Sequence, residues 1–108
     1  MSGYLWYLNA HRLGPYRWQR AEAYLYPQLI ILSWIPPDQG RLVVRLDLLS
    51  CLEIRTAPTV PYVDEETGET EQGGERAPAR FDLVYDDSIE RLGSESREDM
   101  LDWFCSLQ

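Results

Sequence analysis

The last fifteen residues, 94–108 (SESREDMLDWFCSLQ), constrain the fold more than any other segment. Met100, Trp103, Phe104 and Leu107 recur at i, i+3, i+4 and i+7, which is one face of an α-helix. Ser96 stands where an N-cap belongs, and Asp99 three residues on makes an imperfect capping box. The chain before this segment reads as strand and turn. One amphipathic helix closing a strand-rich chain must bury its apolar face on those strands. That predicts a small sheet or barrel with its helix docked last.

The strands follow from alternation and punctuation. GYLWYL (3–8) is aromatic and strand-like, and NAHRLGP (9–15) carries turn chemistry. Residues 16–26 alternate, with Trp18, Arg20, Glu22, Tyr24 and Tyr26 on one face, until Pro27 ends the run. QLIILSWI (28–35) is a third strand, and PPDQG (36–40) a turn. RLVVRLDLL (41–49) sends Leu42, Val44, Leu46 and Leu48 one way and its charges the other. SCLEIRT (50–56), FDLVY (81–85) and residues 89–93 complete seven strands, with Asp86-Asp87-Ser88 as a turn. Residues 58–80 break the pattern with Pro58, Pro61, Pro78, the acids Asp64-Glu65-Glu66 and Gly73-Gly74. They read as an acidic, mobile, solvated loop between strands five and six. At 108 residues the chain is expected to be one domain, 1–108, of a longer intracellular protein.

The net charge is −8, unevenly spread. Residues 1–58 carry six arginines against four acids, while residues 81–108 carry two against eight. Such a chain is repelled at long range by nucleic-acid phosphates and anionic lipid, so no nucleic-acid partner is expected. All ten basic residues are arginine. Cys51 and Cys105 lack metal-ligand spacing and read as buried free thiols of a reducing, cytoplasmic compartment. The acids Asp64, Glu65, Glu66, Glu69 and Glu71 lack the EF-hand spacing. His11 is the one histidine, in a short loop, and supports no Ser-His-Asp or Cys-His set. No phosphate-cradling glycine motif is present. The sequence therefore predicts a non-catalytic domain with no cofactor and no metal. The apolar run Leu29 to Ile35 is too short to span a bilayer as a helix.

The order of these elements resembles a pleckstrin homology domain over nearly the whole chain. Gly3-Tyr4-Leu5 is similar to the glycine and leucine that open the family's first strand. Trp18 with Arg20 resembles the tryptophan and basic residues of its second. Gly40 followed by Leu42 and Leu46 resembles the glycine-led fourth strand, and Ile54 and Phe81 fit later apolar positions. Leu92 to Ser96, then Glu98 to Phe104 with Trp103, resembles the family's ending, with Gly93 nearest the usual alanine. The resemblance implies a mainly β, seven-stranded antiparallel barrel of two near-orthogonal sheets. One C-terminal helix caps it, with Trp103 plugging the barrel end. Phosphotyrosine-binding, EVH1 and Ran-binding domains share this superfold, so the fold alone names no function.

The resemblance also implies where a ligand would sit. Lipid-binding members carry a lysine near the end of strand one, where this chain has Tyr7. At two favoured basic positions around Trp18 it has Gln19 and Ala21. Arg12, Arg17 and Arg20 remain as candidates for weak phosphoinositide or other anionic-lipid binding, which would make the domain membrane-associated through its parent protein. The first expectation is instead an interaction or scaffold module of a signalling, trafficking or cytoskeletal protein. Its partner would be a neighbouring domain, a GTPase or a second copy, met through Trp6, Tyr24, Tyr26 and Trp34. A phosphopeptide reader would need a groove between the helix and strand five around Cys51 to Arg55, where Arg55 is the one cation. Trp103, Met100, Phe104 and Leu107 are structural in every reading.

Overall fold

The computed structural model describes residues 1–8, 16–37 and 40–108. Among the described residues there are seven strands and one α-helix: β1 Ser2–Leu8, β2 Trp18–Tyr26, β3 Leu29–Trp34, β4 Leu42–Asp47, β5 Glu53–Ala57, β6 Ala79–Val84, β7 Ile89–Ser94 and α1 Arg97–Leu107. Every paired neighbour is antiparallel, in the order β4-β3-β2-β1-β7-β6-β5. The two halves expected as separate sheets are joined into one curled half-barrel. The join is made by the pairs Trp6↔Gly93 and Tyr7↔Leu92 between β1 and β7. β4 and β5 are the edges of this sheet.

Local chemistry sets the turns. Pro27 and Gln28 connect β2 to β3, whose first pair is Tyr26↔Leu29, and the fixed φ of proline suits the first turn position. After β4, Asp47 closes the chain on itself: its Oδ1 accepts from the Leu49 amide at 2.9 Å and its Oδ2 from the Ser50 hydroxyl at 2.8 Å. The Ser50 bond, then the Leu49 bond, lower the Asp47 carboxyl below its ordinary pKa. β5 starts at Glu53, three residues later than alternation predicts, and Leu52 is exposed rather than inward. Ser96 caps α1, its Oγ accepting from the Asp99 amide at 3.1 Å.

The helix buries Met100, Trp103 and Leu107 among residues of the concave face, including Leu5, Tyr7, Phe81 and Leu92. Phe104 is half-buried and meets Phe81 edge-on at 6.5 Å. A Cβ on Gly3 would lie 3.3 Å from Trp103 Cζ2, so the indole rests directly on the β1 backbone. Cys51 is half-buried and Cys105 exposed, both free; the expectation of two buried thiols is corrected at Cys105, which lies on the solvent side of α1.

Side chains alternate across a strand, so a curled sheet has an outer face as well. On β1, Leu5 and Tyr7 join the main core, while Trp6 and Leu8 join a second cluster with Tyr16, Trp18 and Ala77. The cover over this second cluster is the segment between β5 and β6. Most residues of 58–80 are exposed, as a solvated loop requires, yet the segment is tied to itself and to β2. Val63 bridges to Thr70, Arg17 bridges to Gln72, residues Gly74–Arg76 form a 3-10 turn, and Ala77 is fully buried. The Trp18 amide donates to Gln72 O at 2.9 Å, and the Gln72 amide to Tyr16 O at 3.0 Å. Arg80, read as the end of the loop, belongs to β6 and is buried.

Candidate interaction surface

The cover is fastened by a buried ion pair. Phe81 and Leu83 of β6 point inward, so Arg80 and Asp82 point outward, under the cover. Arg80 Nη1 donates to Glu71 Oε1 at 2.7 Å and Nη2 to Glu71 Oε2 at 3.1 Å. Its other donors reach backbone oxygens of Ala77, Val60 and Gly74 at 2.9, 2.8 and 3.1 Å, so all five guanidinium N–H groups are used. Glu71 also accepts from Trp18 Nε1 and, at 3.0 Å, from the Tyr62 amide. The Arg80 guanidinium lies 4.8 Å from the Trp18 ring and 5.4 Å from the Tyr62 ring. Tyr62 also carries the Arg91 guanidinium 3.8 Å from its ring centroid. Burial, then the Asp82 charge, raise its phenol pKa. Arg91 and Arg55 both reach Asp82 Oδ2, at 3.2 and 3.4 Å.

The rest of the outer face has no such cover among the described residues. Register places Tyr4 beside Glu22, Ser33 and Val43, and Tyr24 beside Ile31 and Arg45, on one face of β1 to β4. Tyr4, Tyr24 and Tyr26 are 53%, 40% and 52% exposed, and Val43 is exposed with them. The Tyr24 hydroxyl donates to Glu22 at 3.1 Å, and that bond raises its phenol pKa.

The two tryptophans expected with Tyr24 and Tyr26 are not part of this surface. Trp6 is 8% exposed, packed beneath the cover, and Trp34 is 5% exposed on the concave side, 5.5 Å from the Tyr7 ring. Their size made them good contact candidates, and burial on both faces of the sheet is what removes them. Tyr4, which sequence reasoning passed over, shares strand parity with the exposed tyrosines and takes their place.

Of the three arginines expected to hold an anion, Arg12 lies outside the described residues, as does His11. Arg17 and Arg20 line one concavity of about 460 Å³, and Arg76 from the 3-10 turn joins them. Arg76 was hidden in sequence because 56 positions separate it from Arg20 and it sits in an acidic stretch. Tyr7, aligned with the lysine of lipid binders, is fully buried and donates to the Glu90 carboxylate at 2.6 Å. Arg55, the cation needed for a peptide groove at β5, is engaged by Asp82.

Among the described residues, no group of three His, Cys, Asp or Glu side chains is placed to hold a metal, and no helix is long and apolar enough to cross a membrane. No family model matches this chain, and no curated protein matches it.

Proposed function

We propose that this chain is a non-catalytic interaction module of the pleckstrin-homology superfold, meeting a protein partner through the outer face of β1 to β4. The strand order, the single terminal helix and the place of Trp103 against β1 support the superfold. The observation that carries the function is the division of the outer face. One half is closed by the cover; the other presents Tyr4, Tyr24, Tyr26 and Val43 to solvent. Tyrosine gives large contact area with little rotamer entropy to lose, which favours it at interfaces. Lipid binding at the family's own position has weaker support, because Tyr7 and Glu90 stand where a phosphate would need a cation.

The test is a photo-crosslinking residue at position 24 or 26, with position 101 of α1 as control, in the protein expressed in its native cells. The proposal expects the same protein adduct from 24 and 26 and none from 101. Equal labelling from all three positions, or none from 24 and 26, contradicts it.

A further inference from the structure

Nine arginines lie among the described residues. Arg41, Arg55, Arg80 and Arg91 each lie within ion-pair distance of a carboxylate. Arg17, Arg20, Arg45, Arg76 and Arg97 form no ion pair with a described carboxylate, and of these Arg17, Arg20 and Arg76 line the same concavity with Trp6, Gln72 and Glu75. We infer that this concavity binds a compact phosphomonoester dianion, carried by a phosphorylated side chain of the protein partner.

Two of the cations come from the start of β2 and the third from the 3-10 turn of the cover, 56 positions from Arg20. The Arg20 guanidinium lies 3.9 Å over the Tyr4 ring, and that of Arg76 lies 6.0 Å from the Trp6 ring. Stacking on Tyr4 restrains the Arg20 guanidinium plane and leaves its N–H edge for forked bonds to phosphate. The Arg17 backbone is bridged to Gln72, and the Arg76 amide donates to Gly73 O at 3.1 Å, so both are anchored to the cover that Glu71 and Arg80 fasten. The size of the anion follows from charge. Glu75 borders the site and the chain as a whole carries −8. An extended anionic surface therefore meets far more repulsion than attraction, over the ~8 Å range that physiological salt allows. A single dianion meets chiefly the three arginines. Tyr4 belongs both to the tyrosine face and, through Arg20, to this site. A peptide crossing the tyrosines thus brings a phosphorylated residue to the concavity.

This inference rests on the proposed function in taking its ligand from a protein. It is tested by titrating the isotopically labelled chain with phenyl phosphate, inorganic phosphate and phosphatidylcholine vesicles containing phosphatidylinositol bisphosphate. The readouts are the Trp6 indole N–H and the arginine Nε–H resonances. Saturable shifts with both soluble phosphates are expected. Arg20→Gln/Arg76→Gln should weaken binding by about tenfold or more, since it removes charge-assisted bonds, and Arg45→Gln should not. Arg17→Gln gives a second variant should the double substitution disturb the cover. Absence of saturable shifts up to tens of millimolar, or unchanged affinity in the Arg20/Arg76 and Arg17 variants, overturns the inference. So does vesicle binding that these substitutions abolish while phenyl phosphate is inert, because the site is then a lipid site. Loss of the phosphate response with the cross-links at positions 24 and 26 intact overturns this inference and leaves the interaction surface standing.

Discussion

Glu71 and Arg80 are joined by two parallel hydrogen bonds, and each side chain is 3% exposed. Desolvating such a pair is costly, and it is tolerated where every remaining donor and acceptor is satisfied, as here. Removing one partner leaves a buried charge. Glu71→Ala should therefore cost about 3–5 kcal/mol in urea denaturation. With Arg80→Ala, the double variant should lose less than the sum of the single losses, by more than ~1 kcal/mol. Strictly additive losses would mean that the pair does not act as a unit.

Gly93 lies at the seam between β1 and β7, beneath the cover. A Cβ there would approach Ala77 Cβ to 2.9 Å and Ala79 O to 3.3 Å. Gly93→Ala should destabilise the fold by about 1–3 kcal/mol through overpacking. Adding Ala77→Gly should restore part of the loss, because it removes the nearest atom. A melting temperature unchanged by Gly93→Ala would place the cover farther from the seam.

Trp103 is the largest side chain that α1 contributes to the core. Trp103→Ala should cost about 3–5 kcal/mol, the range for truncating a buried aromatic. Leu101, on the exposed side of the same helix, should tolerate alanine within about 0.5 kcal/mol. Comparable losses at the two positions would show that helix propensity, and not docking of one face, sets the effect.

Burial, and secondarily the Glu90 carboxylate, raise the Tyr7 phenol far above its ordinary pKa. The folded state holds a proton that the unfolded chain releases near pH ~10. Stability from Tyr7 is thus complete below that pH and is lost as pH rises above it. Burial raises Tyr85 in the same direction. Denaturation between neutral pH and pH ~11 should show a decline that Tyr7→Phe makes shallower and Tyr85 keeps from vanishing. An identical slope in Tyr7→Phe would remove Tyr7 as its source.

The terminal helix, its cap and its buried stripe were legible because helical period and cap chemistry are local. The strands were legible for the same reason. What alternation could not supply was the fate of the outward positions. Trp18, Tyr24 and Tyr26 share parity on β2, yet Trp18 is buried and the tyrosines are exposed. The difference is made by residues 60–77, whose acids and glycines have the composition of a solvated loop. Their folding depends on Glu71 meeting Arg80 and Trp18, a contact that neither local sequence announces. The same nonlocal step carries Arg76 to Arg17 and Arg20.

The division of the outer face into a closed half and an open half depends on the cover being part of the folded structure. Residue-resolved amide hydrogen exchange measures this directly, at the amides of Trp18, Glu71 and Gln72, which bond to Gln72 O, Tyr62 O and Tyr16 O. Protection approaching that of β2 and β6 is expected at all three, with loss at Glu71 and Gln72 in Glu71→Ala while β6 stays protected. Free-chain exchange at Glu71 and Gln72 in the unmodified protein would contradict the account, because the Trp6 and Trp18 face would then be open as well.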